Sequence, residues 1–413
     1  MIRHPQRYRR LLQPCMSFTF PRGIHTGASL SNRLKILFCG SDNFSAESLT
    51  ALQNLKDEHA GQIIESIDVL IKKEKPSGRG LKKRRQNPCQ KVAEFYEMPF
   101  HTVDGSEGLK TWEFPKPIDL IVAVSFGFFI PARLIEGAKY GGVNVHPSFL
   151  PKYWGATPIH HALLKNDKST GVVIQTLDKR KFDNGRILAK SDPFTISPPD
   201  PTIFTPPAAC PDSPYDNLSR SLSLIGANLL RQTILNKSYD PAVHANLPEV
   251  TTGESKIHAP LLKKNGRCIN WGHETAIDVW RRSMVYPGMF CYFQKLVSRD
   301  GPLEPPKRAK MNQFRMPTVE EHDKHLKNVA EGTQWVYIPD VKKWENAPKR
   351  SGSTALQVGP GEWVCVKDIV VEGKPKRDAK AWRDIDAAQF GFVGVSEAEK
   401  FESLSTISNE KEG

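Results

Sequence analysis

The sequence lacks several features that would assign a function directly, and each absence narrows the possibilities. No apolar run in its 413 residues reaches the roughly 18 needed to cross a bilayer, so no membrane partner is expected. None of the seven cysteines is spaced C-x-x-C, which argues against a zinc site or a disulfide framework and suits a reducing compartment. Acidic residues are comparatively few: 45 stand against 58 basic ones, and the formal charge of +13 favours a polyanionic partner.

The first 30 residues contain no acidic residue; the first acid in the chain is Asp42. The arginines of this segment are Arg3, Arg7, Arg9, Arg10 and Arg22. An Arg-rich, acid-free N-terminus with interspersed apolar residues is typical of a mitochondrial transit peptide, so we predict that residues 1–30 direct the protein to the mitochondrial matrix. The alternative is a disordered basic tail.

Buried strands alternate with helices along the first part of the chain. Strands are predicted at 34–39, 63–71, 118–125 and 142–146, and helices at 43–55 and 89–97. Asn43 or Ser45 is predicted to cap the first helix. Strands that are apolar throughout, with helices between them, indicate an α/β fold with a doubly wound, mostly parallel sheet. The turn at Gly40 is not G-x-G-x-x-G, which disfavours a nicotinamide cofactor.

The stretch 142–159 is the strongest candidate for a site. Asn144 and His146 are two residues apart on the predicted strand, so their side chains leave the same face. A turn-rich loop follows, and then a short helix with Thr157 as cap candidate and Pro158 at its first position. The carboxyl end of a buried strand is where open α/β enzymes place their chemistry. The alternative is a core strand with two hydrogen-bonded polar residues; the pair and its loop together favour a site.

A further acid, Asp183, lies between strands predicted at 171–177 and 187–190. The next two residues are Asn-Gly, a strong hairpin signal. Asp183 therefore has two interpretations: it braces this turn with its own backbone, or its carboxylate is aimed at His146. Spacing along the sequence does not decide between them.

A basic stretch at 72–85 contains eight Lys or Arg residues and one acid. Such clusters are commonly solvated charge runs or sorting signals. This one interrupts a folded domain at the carboxyl end of a strand, on the same edge as the candidate site, which favours a flexible loop that grips phosphates.

The remaining sequence indicates a second domain of different character. A Pro-rich stretch at 193–214 looks like an insertion, and a helix at 215–235 closes the first domain. Beyond it, we predict a helix at 275–284 and strands at 289–296, 335–338 and 362–371. Residues 301–350 are predicted to be polar and loop-like, and 396–413 to be a disordered tail.

Taken together, these motifs resemble the mitochondrial methionyl-tRNA formyltransferases over about residues 34–295. The motifs that carry the resemblance are Asn144-Val-His146, Ser148-Phe-Leu-Pro151, Trp154-Gly-Ala-Thr-Pro-Ile159, Asp183-Asn-Gly185, Lys75-Pro-Ser-Gly-Arg-Gly80 and Val124-Ser-Phe-Gly-Phe-Phe-Ile-Pro131. Two departures stand out. Phe149 replaces the first leucine of the family's S-L-L-P, and the stretch 179–181 is more basic and one residue longer than in bacterial relatives.

The resemblance implies a formyltransferase-like, Rossmann-type domain followed by a small β-barrel of the oligonucleotide-binding (OB) type. The expected segments are a transit peptide at 1–30, a catalytic domain at 34–238, a linker at 239–256, an OB-like tRNA-binding domain at 257–395 and a tail at 396–413. We expect a monomer.

The same resemblance implies formyl transfer from 10-formyltetrahydrofolate to the α-amino group of methionyl initiator tRNA, with no metal. The implied folate contacts are Val124, Ser125, Phe126, Gly127, Phe128, Phe129, Ile130, Ser148, Leu150 and Pro151. The implied tRNA contacts are Lys75, Arg79, Lys82, Lys83, Arg84 and Arg85. Without the family likeness, the stretch 124–130 is nearly as well explained as a hydrophobic loop entering a helix.

The residue types of the implied catalytic set suit this reaction. Asn144 can donate to the carbonyl oxygen as it becomes anionic, and His146 can donate to it or take the ammonium proton. Asp183 can orient the imidazole. Two other functions stay open. Formyl transfer to a small amine would need neither the basic loop nor a basic second domain, and a non-catalytic RNA-binding protein would not need all three side chains.

Overall fold

A computed structural model describes thirteen segments of the chain. They are residues 33–73, 86–197, 199–203, 213–247, 256–270, 274–286, 288–295, 307–329, 335–339, 352–359, 361–372, 377–378 and 390–393. The predicted transit peptide, tRNA-contacting residues 75–85 and C-terminal tail lie outside the described residues. So do residues 198 and 204–212 of the Pro-rich stretch and part of the linker. The chain divides into two compact units, one of 1–158, 169–196 and 219–260, the other of the remaining residues.

The elements between Leu34 and His258 alternate as predicted at the start and become more irregular later. In chain order they are β1 (Leu34–Gly40), α1 (Asn43–Glu58), β2 (Ile64–Lys72), α2 (Pro88–Phe95), β3 (Phe100–Val103), α3 (Gly105–Thr111), β4 (Leu120–Val124), α4 (Ala132–Gly137), β5 (Gly142–His146), β6 (Lys152–Trp154), α5 (Pro158–Leu164), β7 (Ser169–Thr170), β8 (Val173–Thr176), β9 (Ile187–Lys190), β10 (Phe194–Thr195), α6 (Pro214–Leu235), α7 (Pro241–His244) and β11 (Ile257–His258).

The first unit is built on a seven-stranded sheet in the order β3-β2-β1-β4-β5-β8-β9. The strands from β3 to β5 are parallel, and β8 and β9 are antiparallel to their neighbours. The predicted mostly parallel sheet is therefore confirmed. The order reverses between β1 and β4, which is the doubly wound arrangement, and such sheets bind ligands at the carboxyl ends of the strands near this point.

Strands β1 and β4 at the centre of the sheet are buried because their sequences are almost wholly apolar, with Lys35 as the one charged position. Ile36, Leu37 and Phe38 of β1 are each at most 1% exposed, so both faces of the strand are covered. A core cluster beneath the carboxyl edge combines the end of β4 with the chain that follows it, including Ala123, Phe126 and Ile130. This packing fixes the backbone that leaves the sheet at the candidate site.

Helix α1 begins with a cap that differs from the predicted one. The Asp42 carboxylate accepts a hydrogen bond from the Ser45 amide at 2.8 Å, and the Ser45 hydroxyl accepts one from the Asp42 amide at 2.9 Å. The N-cap is therefore Asp42, and the prediction of Asn43 or Ser45 is wrong. Ser45 instead completes a reciprocal capping box, because its side chain reaches back to the cap residue.

The second unit contains an antiparallel sheet. Its elements are a 3-10 turn (Lys264–Arg267), α8 (Ala276–Val285), β12 (Met289–Lys295), β13 (Lys307–Arg315), α9 (Val319–Glu321) continued by a π-helical turn (His322–Leu326), β14 (Trp335–Pro339), β15 (Gly352–Gly359), β16 (Glu362–Val371), β17 (Arg377–Asp378) and β18 (Phe390–Val393). The strand order is β14-β15-β16-β13-β12-β18, with β17 paired to β16. Within the described residues no pairing joins β14 to β18, so the predicted closed OB-like barrel is not confirmed.

The prediction that 301–350 is loop-like is wrong at β13 and α9, whereas β14 matches the strand predicted at 335–338. Strand β13 was missed because its sequence, Lys-Arg-Ala-Lys-Met-Asn-Gln-Phe-Arg, has few β-formers. Pairing on both sides decides its conformation, with β12 along one edge and β16 along the other. The burial of Ala309 and Met311 follows from that pairing.

Candidate active site

Two side chains of β5 converge on one carboxylate that arrives from the loop between β8 and β9. Asn144 Nδ2 lies 3.3 Å from Asp183 Oδ1, and His146 Nδ1 lies 3.4 Å from the same oxygen. The prediction that Asn144 and His146 share a face of the strand is confirmed. Asp183 contacts His146 rather than bracing its own turn, which separates the two interpretations of this residue.

The loop that carries Asp183 is longer than a two-residue hairpin. Strand β8 ends at Thr176 and β9 begins at Ile187, so the prediction of a tight Asn184-Gly185 hairpin turn is wrong. Asp183 itself has a left-handed backbone, with φ of 50°. Gly185 lies against the Thr176 carbonyl with no space for a Cβ atom. The glycine of the Asp-x-Gly motif is therefore required for close approach of the loop to β8.

The Asp183 carboxylate is a buried hub for hydrogen bonds. Its side chain is 8% exposed. Oδ1 also accepts from Gln175 Nε2 at 2.8 Å, and Oδ2 accepts from the Gly155 amide at 2.8 Å. A buried carboxylate needs such donors, because an unpaired charge in a low-dielectric site is costly. The arrangement holds the carboxylate in one orientation between β5, β8 and the loop after β6.

His146 is held from both of its ring nitrogens. Nε2 lies 3.0 Å from the Tyr153 carbonyl oxygen, which can only accept, so this bond requires a hydrogen on Nε2. Nδ1 faces the Asp183 carboxylate, which also only accepts when ionised. The imidazole therefore lies between two acceptor groups, with one of them beside each ring nitrogen.

Gln175 is a site residue that the sequence analysis missed. Its side chain is buried at 1% exposure, and β8 places it directly opposite Asn144 in the antiparallel pair. Its Oε1 atom has no hydrogen-bond partner among the described residues. A polar residue inside the apolar run Val-Val-Ile-Gln-Thr was the available signal. Its meaning depends on the strand register, which the sequence does not provide.

The loop after β5 is fixed by the segment at β11. The Ala259 amide donates to the Trp154 carbonyl at 2.7 Å, and the Trp154 and His258 rings stack with centroids 4.0 Å apart. A Cβ atom on Gly155 would lie 2.9 Å from the Ala259 carbonyl oxygen, so this position needs glycine. Thr157, the predicted cap of α5, directs its hydroxyl to the Pro260 carbonyl at 2.6 Å. These contacts hold the Tyr153 carbonyl and Gly155 amide where the site uses them.

The segment 124–130, predicted to contact folate, leaves β4 at the same edge of the sheet. Its side chains alternate between core and solvent: Phe126 and Ile130 are buried, whereas Ser125 and Gly127 are exposed. Both exposed residues have left-handed backbones, with φ of 47° and 71°. The Lys72 ammonium lies 4.5 Å from the centre of the Phe128 ring. The segment thus exposes Ser125 and Gly127 beside half-buried aromatic rings and the Lys72 ammonium.

Three other predicted folate contacts lie inside the fold. Ser148, Leu150 and Pro151 are buried, and the Ser148 hydroxyl donates to the Lys152 carbonyl at 2.7 Å. Leu150 packs in a small core with Val173. Their contact with folate stays a prediction; what the structure describes is their part in shaping the turn after β5.

The described residues offer no other obvious reactive group. In these segments no set of three or more His, Cys, Asp or Glu side chains is grouped to hold a metal ion. Cys89 is buried near the start of α1, and burial raises the pKa of its thiol to about 12. No helix in the described part of the chain is long and apolar enough to span a membrane.

Comparison with known proteins places the chain in a family. The family described as "Formyl transferase" matches residues 34–201. The chain is 32% identical over 262 residues to "Methionyl-tRNA formyltransferase" of Ehrlichia chaffeensis, covering 63% of this chain and 77% of that protein. It is 31% identical over 273 residues to "Methionyl-tRNA formyltransferase, mitochondrial" of Saccharomyces cerevisiae, covering 60% and 66%.

The human protein of the same name, also described as mitochondrial, is 30% identical over 253 residues, which cover 60% of this chain and 55% of that protein. The match thus spans between about half and two thirds of the mitochondrial relatives' length.

Proposed function

Because this chain belongs to the methionyl-tRNA formyltransferase family, we propose that it transfers a formyl group from 10-formyltetrahydrofolate to the α-amino group of methionyl initiator tRNA in mitochondria. One observation carries the proposal: Asn144, His146 and Asp183 meet at the carboxyl edge of the sheet, where the Asn144 amide and the His146 ring each lie within 3.4 Å of the Asp183 carboxylate. A donor amide, an imidazole and a carboxylate are the groups that acyl transfer to an amine requires.

The reaction joins the amine nitrogen to the formyl carbon and breaks the bond from that carbon to the folate nitrogen. One proton leaves the amine and one is gained by the departing nitrogen, so the protons balance. Negative charge develops on the formyl oxygen as the amine attacks. Donors held in place before the reaction stabilise this charge without reorganising.

Asn144 is the donor in this scheme. Its contact with Asp183, at 3.3 Å, is long for a hydrogen bond to a carboxylate, so the amide is weakly held there. Asp183 already receives shorter bonds from Gln175 and Gly155, both at 2.8 Å. The Asn144 amide can therefore turn to the formyl oxygen while the carboxylate keeps its other donors.

His146 and Asp183 form the carboxylate–histidine pair of this scheme. The Asp183 carboxylate stabilises a protonated ring and fixes its plane, as the acid does in other carboxylate–histidine pairs. To donate to the developing oxyanion, Nε2 exchanges the Tyr153 carbonyl for the formyl oxygen. This exchange keeps the number of hydrogen bonds to the ring constant.

The segment 124–130 is the proposed binding site of the formyl donor. A pterin carries donors and acceptors along one edge of a flat ring, and the exposed main chain at Ser125 and Gly127 presents the same kinds of groups in a row. The apolar rings of Phe128 and Phe129 are half-buried beside it. When bound there, the folate supplies the formyl group; the protein supplies the edge that orients it.

The acceptor and the compartment rest on the family. The relatives from yeast and human are described as mitochondrial, which agrees with the transit peptide predicted for 1–30. We propose that the basic loop containing Lys75, Arg79 and 82–85 grips the tRNA backbone, and that the second unit, with an OB-like tRNA-binding role, adds contacts. We propose a monomer that uses no metal.

The test is formyl incorporation into charged initiator tRNA by the full-length protein, with 10-formyltetrahydrofolate as donor. Asn144→Ala should lower kcat by about 100- to 1000-fold, the usual effect of removing one oxyanion donor. Asn54→Ala, on an exposed position of α1, is the matched control and should keep full activity. Wild-type rates from Asn144→Ala, or transfer to a small amine in preference to methionyl-tRNA, would reject the proposal.

A further inference from the structure

The residue immediately before Asp183 is an aromatic ring that faces solvent. Phe182 is 52% exposed, although its neighbour in sequence is a buried hub of the site. Its ring packs edge-to-face on Phe129, with centroids 5.1 Å apart and planes at 81°. Because Phe129 is only half-buried as well, the pair leaves apolar surface in water on the loop that carries Asp183. Exposed aromatic surface beside a reaction centre suggests a flat binding partner.

The loop that presents Phe182 is held by its own hydrogen bonds. Asp178 Oδ1 accepts from the amides of Arg180 and Lys181 at 2.7 and 2.8 Å. Partial burial opposes ionisation of Asp178, but these bonds and the nearby Arg180 charge outweigh it and lower its pKa. Lys179 is tied to Glu136 at 2.8 Å. The ring is therefore positioned before any ligand arrives, which reduces the entropy cost of binding.

Two positively charged residues come just before the ring on the same loop. Arg180 and Lys181 are both exposed, and they precede Phe182 directly in sequence. An exposed aromatic ring next to cations is the arrangement that binds single-stranded nucleic acid: bases stack on the ring, and phosphates meet the charges. A small amine substrate would use neither feature.

The chemistry of the acceptor places a nucleotide at this position. In an aminoacyl-tRNA only four covalent bonds, about 1.5 Å each, connect the α-amino nitrogen to the terminal ribose. Adjacent Cα atoms are about 3.8 Å apart, so Phe182 lies within one residue's reach of the carboxylate at the reaction centre. When the amine reaches Asn144 and His146, the terminal base must lie close to the surface around them.

We propose that Phe182 stacks on the 3′-terminal base of the acceptor tRNA and that Arg180 and Lys181 contact the adjoining phosphates. The inference rests on the proposed function and adds a binding subsite to it. It also gives a role to the longer, more basic stretch at 179–181. The subsite fixes the terminal ribose, and through the ester it fixes the amine against the reacting carbonyl.

The first test measures binding of uncharged initiator tRNA with and without its terminal adenosine. Stacking on an aromatic ring contributes about 1–3 kcal/mol per base, so removing the adenosine should weaken binding by about 5- to 150-fold in the wild type. In Phe182→Ala the same removal should change little, because the ring is already gone; Phe182→Trp should restore the difference. Phe95→Ala is the matched control, since Phe95 is 62% exposed on α2.

The second test uses the salt dependence of tRNA binding. Arg180→Gln with Lys181→Gln should reduce the slope of log K against log salt by about 0.7 for each phosphate that the variant no longer neutralises. Lys91→Gln, an exposed position on α2, should leave the slope unchanged. An unchanged slope in the double variant would contradict the binding of phosphates by Arg180 and Lys181.

Activity separates the remaining explanations. If Phe182 contacts folate instead, Phe182→Ala raises the KM for 10-formyltetrahydrofolate and leaves adenosine discrimination intact, which overturns the proposal. If the wild type formylates methionyl-tRNA but binds the shortened tRNA equally well, the subsite is wrong and the function stands. If the wild type formylates no methionyl-tRNA, the proposed function is wrong, and the proposed subsite is then wrong as well.

Discussion

The hydrogen bond from Gln175 to Asp183 is the interaction whose removal most directly tests how the site works. Gln175→Met keeps the length of the side chain and its apolar stem but removes the donor. Asp183 Oδ1 then retains only the longer contacts from Asn144 at 3.3 Å and His146 at 3.4 Å. We expect the Asn144 amide to close on the carboxylate and to become less available to the formyl oxygen.

The size of the effect follows from burial and charge. A hydrogen bond to a charged group contributes about 1.5–3 kcal/mol, and both side chains here are buried. If that amount is removed from the stabilisation of the transition state, kcat/KM falls by about 10- to 150-fold, since about 1.4 kcal/mol is tenfold.

Stability should respond much less than activity. Gln175 Oε1 is buried without a hydrogen-bond partner among the described residues, and such an acceptor costs about 1–3 kcal/mol. Methionine removes this unpaired acceptor together with the donor, so the two changes in unfolding free energy offset each other. A large fall in kcat/KM with a nearly unchanged Tm is the expected pattern.

The matched control is Gln53→Met. Gln53 Nε2 donates to Asp57 Oδ1 at 2.8 Å on α1, so the same chemical change removes a bond of the same length outside the site. It should leave kcat/KM unaltered. The positioning role of Gln175 is refuted if Gln175→Met shows wild-type kcat/KM, or if both variants lose activity equally.

Two further predictions concern single interactions. Gly185→Ala should lower both Tm and kcat because its Cβ would overlap the Thr176 carbonyl; Gly105→Ala, where nothing lies within 4 Å, should cost only the strain of its φ of 71°, and equal effects would contradict this. In the second unit, Arg315 bonds lower the pKa of Glu321 despite its partial burial, so the ion pair stabilises the fold at neutral pH and this stability is lost as pH falls through the lowered pKa. Glu321→Gln should therefore reduce Tm most near pH 7 and least in acid; a pH-independent difference measured by thermal melts would contradict it.

Elements with strong local patterns were predictable from the sequence. Strand β5 has the predicted bounds, and α6 begins one residue before its predicted start. The sequence also predicted that the side chains of Asn144 and His146 leave the same face of β5, because side chains alternate between the two faces of a strand. In each case the residues that determine the structure are adjacent in sequence.

The parts that could not be predicted depend on pairing between distant segments. The carbonyl oxygen that contacts His146 belongs to the main chain of Tyr153. Every residue has such a group, so the residue type at 153 does not predict this contact. Gln175 matters because the register of β5 and β8 sets it opposite Asn144. Strand β13 forms between two partners whose sequences lie elsewhere. These features come from pairing and register, which periodicity does not encode.

Backbone conformation connects these distant segments to the chemistry. Ser125, Tyr153 and Asp183 all have φ between 47° and 60°. Ser125 and Asp183 lie in loops of the candidate site, and Tyr153 lies in the short strand β6 beside it. Each such residue costs of order 1 kcal/mol or more, and persists only where surrounding interactions over-determine it. For Tyr153 those interactions include the β6–β11 pairing, and for Asp183 they are the four donors and the close approach at Gly185. The direction of the Asp183 carboxylate is therefore set by the loop's fit to the sheet, so changes at Gly185 should alter catalysis without touching a reacting group.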